Sequence, residues 1–102
     1  MADFRNAGID RGDIRAELKN FLLAIRIRKE EYMNIIDELE PDELEFDLRE
    51  YKEYFEKQVK PIYEQAHAVG VESLVALAEE VKRVYDEIIN MIESKLSYGK
   101  QG

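Results

Sequence analysis

The sequence predicts an all-α protein, an elongated antiparallel three-helix bundle with coiled-coil-like seams. Three observations carry that prediction. Apolar residues return in unbroken steps of four and three. Glu, Leu, Ile, Lys, Ala and Arg dominate, residues that lose little or no rotamer freedom in a helix, and the 102 residues include no Thr. The five Gly and two Pro are sparse, and apart from Gly12 and Pro61 they fall between or at the ends of long periodic segments. No Asn-Gly, Asp-Gly or Gly-Gly hairpin signal and no run of strict alternation marks a strand. The length suits a single domain over residues 1–102.

The first helix is expected over about residues 11–39. Asp10 reads as its N-cap, Ile9 and Ile14 as a hydrophobic staple, and Asp13 as a first-turn acid that suits the positive end of the dipole. Its seam runs Ile14, Leu18, Phe21, Ile25, Arg28, Tyr32, Ile35, Leu39, with one Arg at a core-type position. Arg28 is expected to stack on Tyr32, Tyr51 or Phe55, or to pair internally. The second helix is expected over 41–69. Pro41 fits its first position, where the missing N–H would have no partner. Its seam is Leu44, Leu48, Tyr51, Phe55, Gln58, Ile62, Gln65, Val69. Pro61 removes a hydrogen bond and clashes with the carbonyl of Lys57, which predicts a kink near Pro61. Beyond it, Val59 and Ala66 are expected to take over from the two Gln. Gly70 reads as a left-handed C-cap. The third helix, over 72–97, is apolar around half its circumference and should be buried on two sides. Residues 1–9 and 98–102 read as flexible ends. Connections this short force an up, down, up path.

Composition excludes several functions. With no Cys there is no disulfide scaffold, thiolate metal site or cysteine nucleophile. The longest apolar runs, Phe21–Ile25 among them, are far short of a membrane span of about 18 residues. The opening MADFRNAGIDRG has no apolar leader core, so a cytoplasmic, intracellular protein is expected. Residues 1–30 carry seven basic and five acidic side chains, and the whole chain has a net charge of −8. From Asp37 to Glu56 ten acids face only Arg49 and Lys52, so this one hairpin tip holds a net −8 by itself. That balance disfavours nucleic acid, whose phosphates must be neutralised by Lys and Arg; the tip reads first as a solvated end that aids solubility and second as a dock for a basic protein partner.

Catalytic signals are thin. Glu64-Gln65-Ala66-His67 is the Glu-x-x-His unit of ferritin-like di-metal carboxylate sites, which need two such units and two further Glu. Glu50-x-x-Glu53 resembles the Glu-x-x-Glu of all-helical nucleotide pyrophosphatases of the MazG type, which hold Mg²⁺ between helices. In those proteins a Glu-x-x-Asp comes later in the chain. The nearest counterpart here is Glu87-Ile88-Ile89-Asn90, with Asn where the resemblance implies Asp. Spectrin-like repeats share the length and layout, but their Trp positions are absent. No resemblance spans enough of the chain to name a family.

The expected function is therefore a non-catalytic helical interaction module (an adapter, assembly factor or inhibitor) with no cofactor and no metal. Leu23 and Ile27 lie one turn apart on the side of the first helix away from its seam, with Arg26 beside them and Met33 round the side. Asn20, Glu30 and Asn34 flank them on the same stripe. Together with the tip acids Glu43, Asp47 and Glu50, these residues form the expected partner surface. The wide apolar face of the third helix adds a second surface to be covered, and a homodimer is the expected form. The alternative is a metal-dependent helical enzyme using Glu50, Glu53 and Glu87, or Glu64 and His67.

Overall fold

The periodic segments become helices joined by short turns. The structure, a computed structural model, describes residues 11–101, with side chains over 13–98. Helix α1 spans Arg11–Ile35, followed by a 3₁₀ turn at Ile36–Glu38. Helix α2 spans Pro41–Tyr54, a π-helical turn covers Phe55–Val59, and α3 continues from Lys60 to Val69. Helix α4 runs from Glu72 to Gln101, past Tyr98 where flexibility is expected. The expected Asp10 cap, Ile9 staple and flexible N-terminal end all lie outside the described residues.

The turn chemistry comes from the residues. Pro41 opens α2, and the Glu40 N–H donates to Glu43 Oε1 at 2.8 Å. At the far end Gly70 takes φ +79°, a left-handed value that favours glycine, and its N–H donates to the Ala66 carbonyl at 3.1 Å.

Pro61 has a more specific consequence than the sequence shows. The chain does not leave the helix. Instead the Lys60 N–H reaches back five residues to the Phe55 carbonyl. One extra residue is thus absorbed before a proline that has no N–H to offer Lys57. That extra residue rotates α3 relative to α2, and Val59 and Ala66 are fully buried while Gln58 is exposed.

Cross-helix contacts fix the path. Arg15 meets Ser73, Lys29 meets Glu87 and Asp37 meets Lys95, so α1 and α4 run in the same direction. Lys52 meets Glu93 and Tyr63 meets Glu79, so α2 and α3 run against α4. The body measures 53 × 26 × 19 Å, with a radius of gyration of 16.0 Å against about 13 Å for a compact chain of this length. It is an elongated bundle.

Helix α4 is its centre, packing on α1, α2 and α3 alike. Leu74, Ala78, Val81, Val84, Tyr85, Ile88 and Ile92 are all buried, facing Ile14, Leu18, Ile25, Tyr32 and Ile36 from one side and Leu44, Val59 and Ala66 from the other. This corrects one expectation. The wide apolar face of the third helix is covered within the chain, and Tyr98 is its only exposed large apolar side chain among those described. The end of α1 brings a second correction. The 3₁₀ turn buries Ile36 in place of the expected Ile35, which is left 43% exposed.

Candidate interaction surfaces

The geometry divides the expected partner surface into two faces. The first is the outer side of α1. Leu23 is 63% exposed, Ile27 51% and Met33 52%. Arg26 is committed elsewhere: its guanidinium donates to Glu80 Oε2 at 2.9 Å. Glu80 also binds Arg83, which binds Glu87, which accepts from Lys29 at 2.7 Å. This chain of opposite charges stitches two parallel helices whose aligned dipoles do not favour each other. Its hydrogen bonds hold the Glu80 and Glu87 carboxyls below the usual carboxylate range and push Arg83 up.

The second face is a groove of about 420 Å³ where α1 and α2 approach the hairpin tip. The backbones of α1 and α3 run close together, while those of α1 and α2 stay apart. Side chains span that gap. The Tyr32 hydroxyl donates to Asp47 Oδ2 at 2.8 Å, and the rings of Tyr32 and Tyr51 meet edge to face at 6.0 Å. Burial first, then the Asp47 hydrogen bond and charge, push the Tyr32 phenol well up. Burial also raises Tyr51, partly opposed by the Arg28 guanidinium beside it. Deeper in, Tyr54 stacks on Tyr85 and meets Phe21 edge to face, and Phe55 meets Tyr85 at 5.5 Å. Aromatic rings thus join all three limbs of the bundle near the π turn.

Apolar surface is left open around this groove: Ile35 at 43%, Phe46 at 56% and Tyr54 at 48%. Glu31, Asp47 and Glu50 stand among them, and Arg28 is the one cation in the lining. Phe46 and Asp47 also line a smaller depression of about 310 Å³ with Leu39, Asp42 and Glu43. Of the residues expected to bind a partner, Asp47 and Glu50 line the groove and Glu43 its neighbour, whereas Leu23, Ile27, Arg26 and Met33 line neither. Glu43 is also engaged in capping α2.

Sequence reasoning missed Ile35, Phe46 and Tyr54; it set Arg28 against Tyr51, where the structure has it, but at a core-type position. Arg28 is exposed on the groove wall, not enclosed in a seam. Phe46, Glu50 and Tyr54 are spaced by fours on the flank of the α2 seam, and that spacing was the available signal.

Three of the groups weighed for metal chemistry, Glu53, Glu87 and His67, have other partners. Glu87 is held by Lys29 and Arg83, and Glu53 lies 3.7 Å from Lys57. His67 Nε2 lies 2.9 Å from Glu79 Oε2, its ring against Tyr63 at 4.6 Å. Among the described residues no group of three or more His, Asp or Glu is placed to hold a metal ion. No helix among them is long and apolar enough to cross a membrane. Comparison with protein-family models, curated proteins and solved structures finds no match.

Proposed function

We propose that this chain is a non-catalytic helical interaction module, and that the α1/α2 groove takes a basic amphipathic helix from a protein partner. The observation that carries this reading is the apolar trio Ile35, Phe46 and Tyr54, open to solvent around a groove walled by Glu31, Asp47 and Glu50. Apolar side chains supply the affinity in such a groove, and a rim of one charge selects a partner of the other. The occupant has the shape of a missing fourth helix. It would lie between α1 and α2 on the side away from α4, with apolar anchors at i, i+3 or i+4, and i+7. Its Lys or Arg residues would meet a tip whose ten acids face two bases. We read the π turn before Pro61 as the bend that holds α2 away from α1 and keeps the groove open.

The test uses the full chain and a synthetic Leu/Lys peptide with helical periodicity, against a scrambled peptide of the same composition. Calorimetry should show binding of the periodic peptide only. Affinity should weaken as salt rises, since exposed charges are screened beyond a Debye length of about 8–10 Å. Phe46→Ala, at an exposed site, should leave the fold intact and weaken binding by roughly tenfold. Equal binding of the scrambled peptide, or no effect of Phe46→Ala, would overturn the reading.

A further inference from the structure

The outer face of α1 carries a second, shorter seam. Ala16, Asn20, Leu23, Ile27, Glu30 and Asn34 succeed one another in steps of four, three, four, three and four. All six are exposed. This is the spacing of a coiled-coil contact line, on a face that no other helix of the described chain covers. The residue types are distributed symmetrically about its middle. Reversing the helix about the point midway between Leu23 and Ile27 places Leu23 against Ile27, Asn20 against Glu30, and Ala16 against Asn34.

We infer that this face is a two-fold interface, on which a second copy of the chain packs its own α1 antiparallel. A two-fold contact must be complementary to itself, with each residue facing its counterpart's partner, and this seam meets that requirement layer by layer. The centre is apolar and holds four side chains, Leu23 and Ile27 from each copy. The next layer sets an amide that can donate, Asn20, against a carboxylate that can accept, Glu30. Lys19, beside Asn20 on the same turn, comes alongside Glu30 of the second copy. Neither Lys19 nor Glu30 has an ion-pair partner among the described residues of its own chain. A parallel pairing would instead set Lys19 near Lys19 and Glu30 near Glu30. Arg26, the cation nearest the two-fold, is turned aside onto Glu80, which removes the like-charge clash that would otherwise sit at the centre. With an apolar centre only about one turn long, the contact falls at the small end of specific interfaces, so association should be weak and concentration-dependent.

Sedimentation equilibrium of the full chain over a rising concentration series reads this directly. The mass should climb from 12.0 kDa toward about twice that value. Leu23→Asp should abolish the climb while leaving the helical circular dichroism and melting temperature nearly unchanged, because the side chain is 63% exposed and stands outside the core. Lys19→Glu alone and Glu30→Lys alone should each weaken dimerisation by about fivefold or more, since each change creates two repulsive pairs. An equimolar mixture of these two variants should recover dimerisation as a heterodimer, because every cross-pair is then attractive again. A chain that stays monomeric at all concentrations overturns the inference. So does a dimer that survives Leu23→Asp, or a mixture no better than either variant alone. Phe46→Ala should not change the mass, so failure of this interface and failure of the groove are separately visible.

Discussion

Removing one hydroxyl should loosen the groove wall measurably. Tyr32 is 5% exposed, and its hydroxyl donates to Asp47 across the gap between α1 and α2. Tyr32→Phe keeps the ring and its edge-to-face contact with Tyr51 and deletes only the donor. Hydrogen bonds to charged acceptors contribute about 1.5–3 kcal/mol, and those between neutral groups about 1 kcal/mol. Asp47 is half-buried, so water recovers part of the lost bond, and the expected loss is about 1.5 kcal/mol. For a domain of this size, each kcal/mol moves the melting temperature by about 4–8 °C, which gives a fall of about 6–12 °C. Asp47→Ala and the double variant complete a cycle that subtracts the relief of acid crowding at the tip. Thermal and urea melts of the four proteins should return a coupling of about 1 kcal/mol or more between the two positions. The raised phenol sets the pH sign. Its contribution is fully present below the unfolded tyrosine value of about 10 and is lost as pH rises through the higher folded value, so the coupling should be level near neutrality and fade in strong alkali. A coupling of zero would refute the idea that this bond clamps α1 to α2.

Two single polar groups yield further outcomes. Gln65 Oε1 is buried with no hydrogen-bond partner among the described residues, so Gln65→Leu should stabilise the chain by about 1 kcal/mol, and a lower melting temperature would contradict that. The Tyr63 hydroxyl donates to Glu79 Oε2 at 2.7 Å; that bond, with some burial, pushes the phenol up to about 12 and draws the Glu79 carboxyl down. The Tyr63 share of stability is therefore present below about pH 10 and lost through about 12, while the Glu79 share is present above the ordinary carboxylate range and lost in acid. Spectrophotometric titration should lose one tyrosine step near pH 12 in Tyr63→Phe, and loss of a step near the ordinary value of about 10 instead would rule out the bond.

Helix number, order and buried faces were legible because a 3.5-residue apolar period leaves little choice of which side faces inward. The buried seam residues Ile14, Leu18, Ile25 and Tyr32 and the buried face of α4 come from spacing alone. Spacing could not supply local rewinding. The 3₁₀ turn after Ile35 exchanges Ile35 for Ile36, and the π turn before Pro61 advances the pattern by one residue. Both depend on how backbone hydrogen bonds close, which side-chain patterns do not encode. The groove was hidden for the same reason. Ile35 reaches it only because the register slips at the end of α1, and Phe46 and Tyr54 line it only because α2 stands off from α1. Charge was misread differently. Composition located the acidic tip, but only geometry shows that Glu43 caps a helix, Asp47 takes a phenol and Arg26 serves Glu80.

The two surfaces have a joint consequence. The α1 seam centres on Leu23 and Ile27, and the groove begins near Arg28 and continues to the tip beyond Ile35. An antiparallel pairing through α1 sends the two tips in opposite directions, so each copy's acidic groove lies toward a different end of the assembly. Such an assembly is a two-ended rod with one binding groove per end. Crowding of two strongly acidic tips is avoided by that arrangement, whereas a parallel pair would bring together two segments of net −8 each. The concentration of acid at one end of the chain is thus an argument for antiparallel pairing, independent of the residue types along the seam. It also sets the functional prediction apart from that of a monomer. Two grooves on one rigid body would bind a partner carrying two basic helices with an effective concentration fixed by the spacing between grooves. Leu23→Asp should therefore weaken capture of a two-helix ligand far more than capture of a single helix.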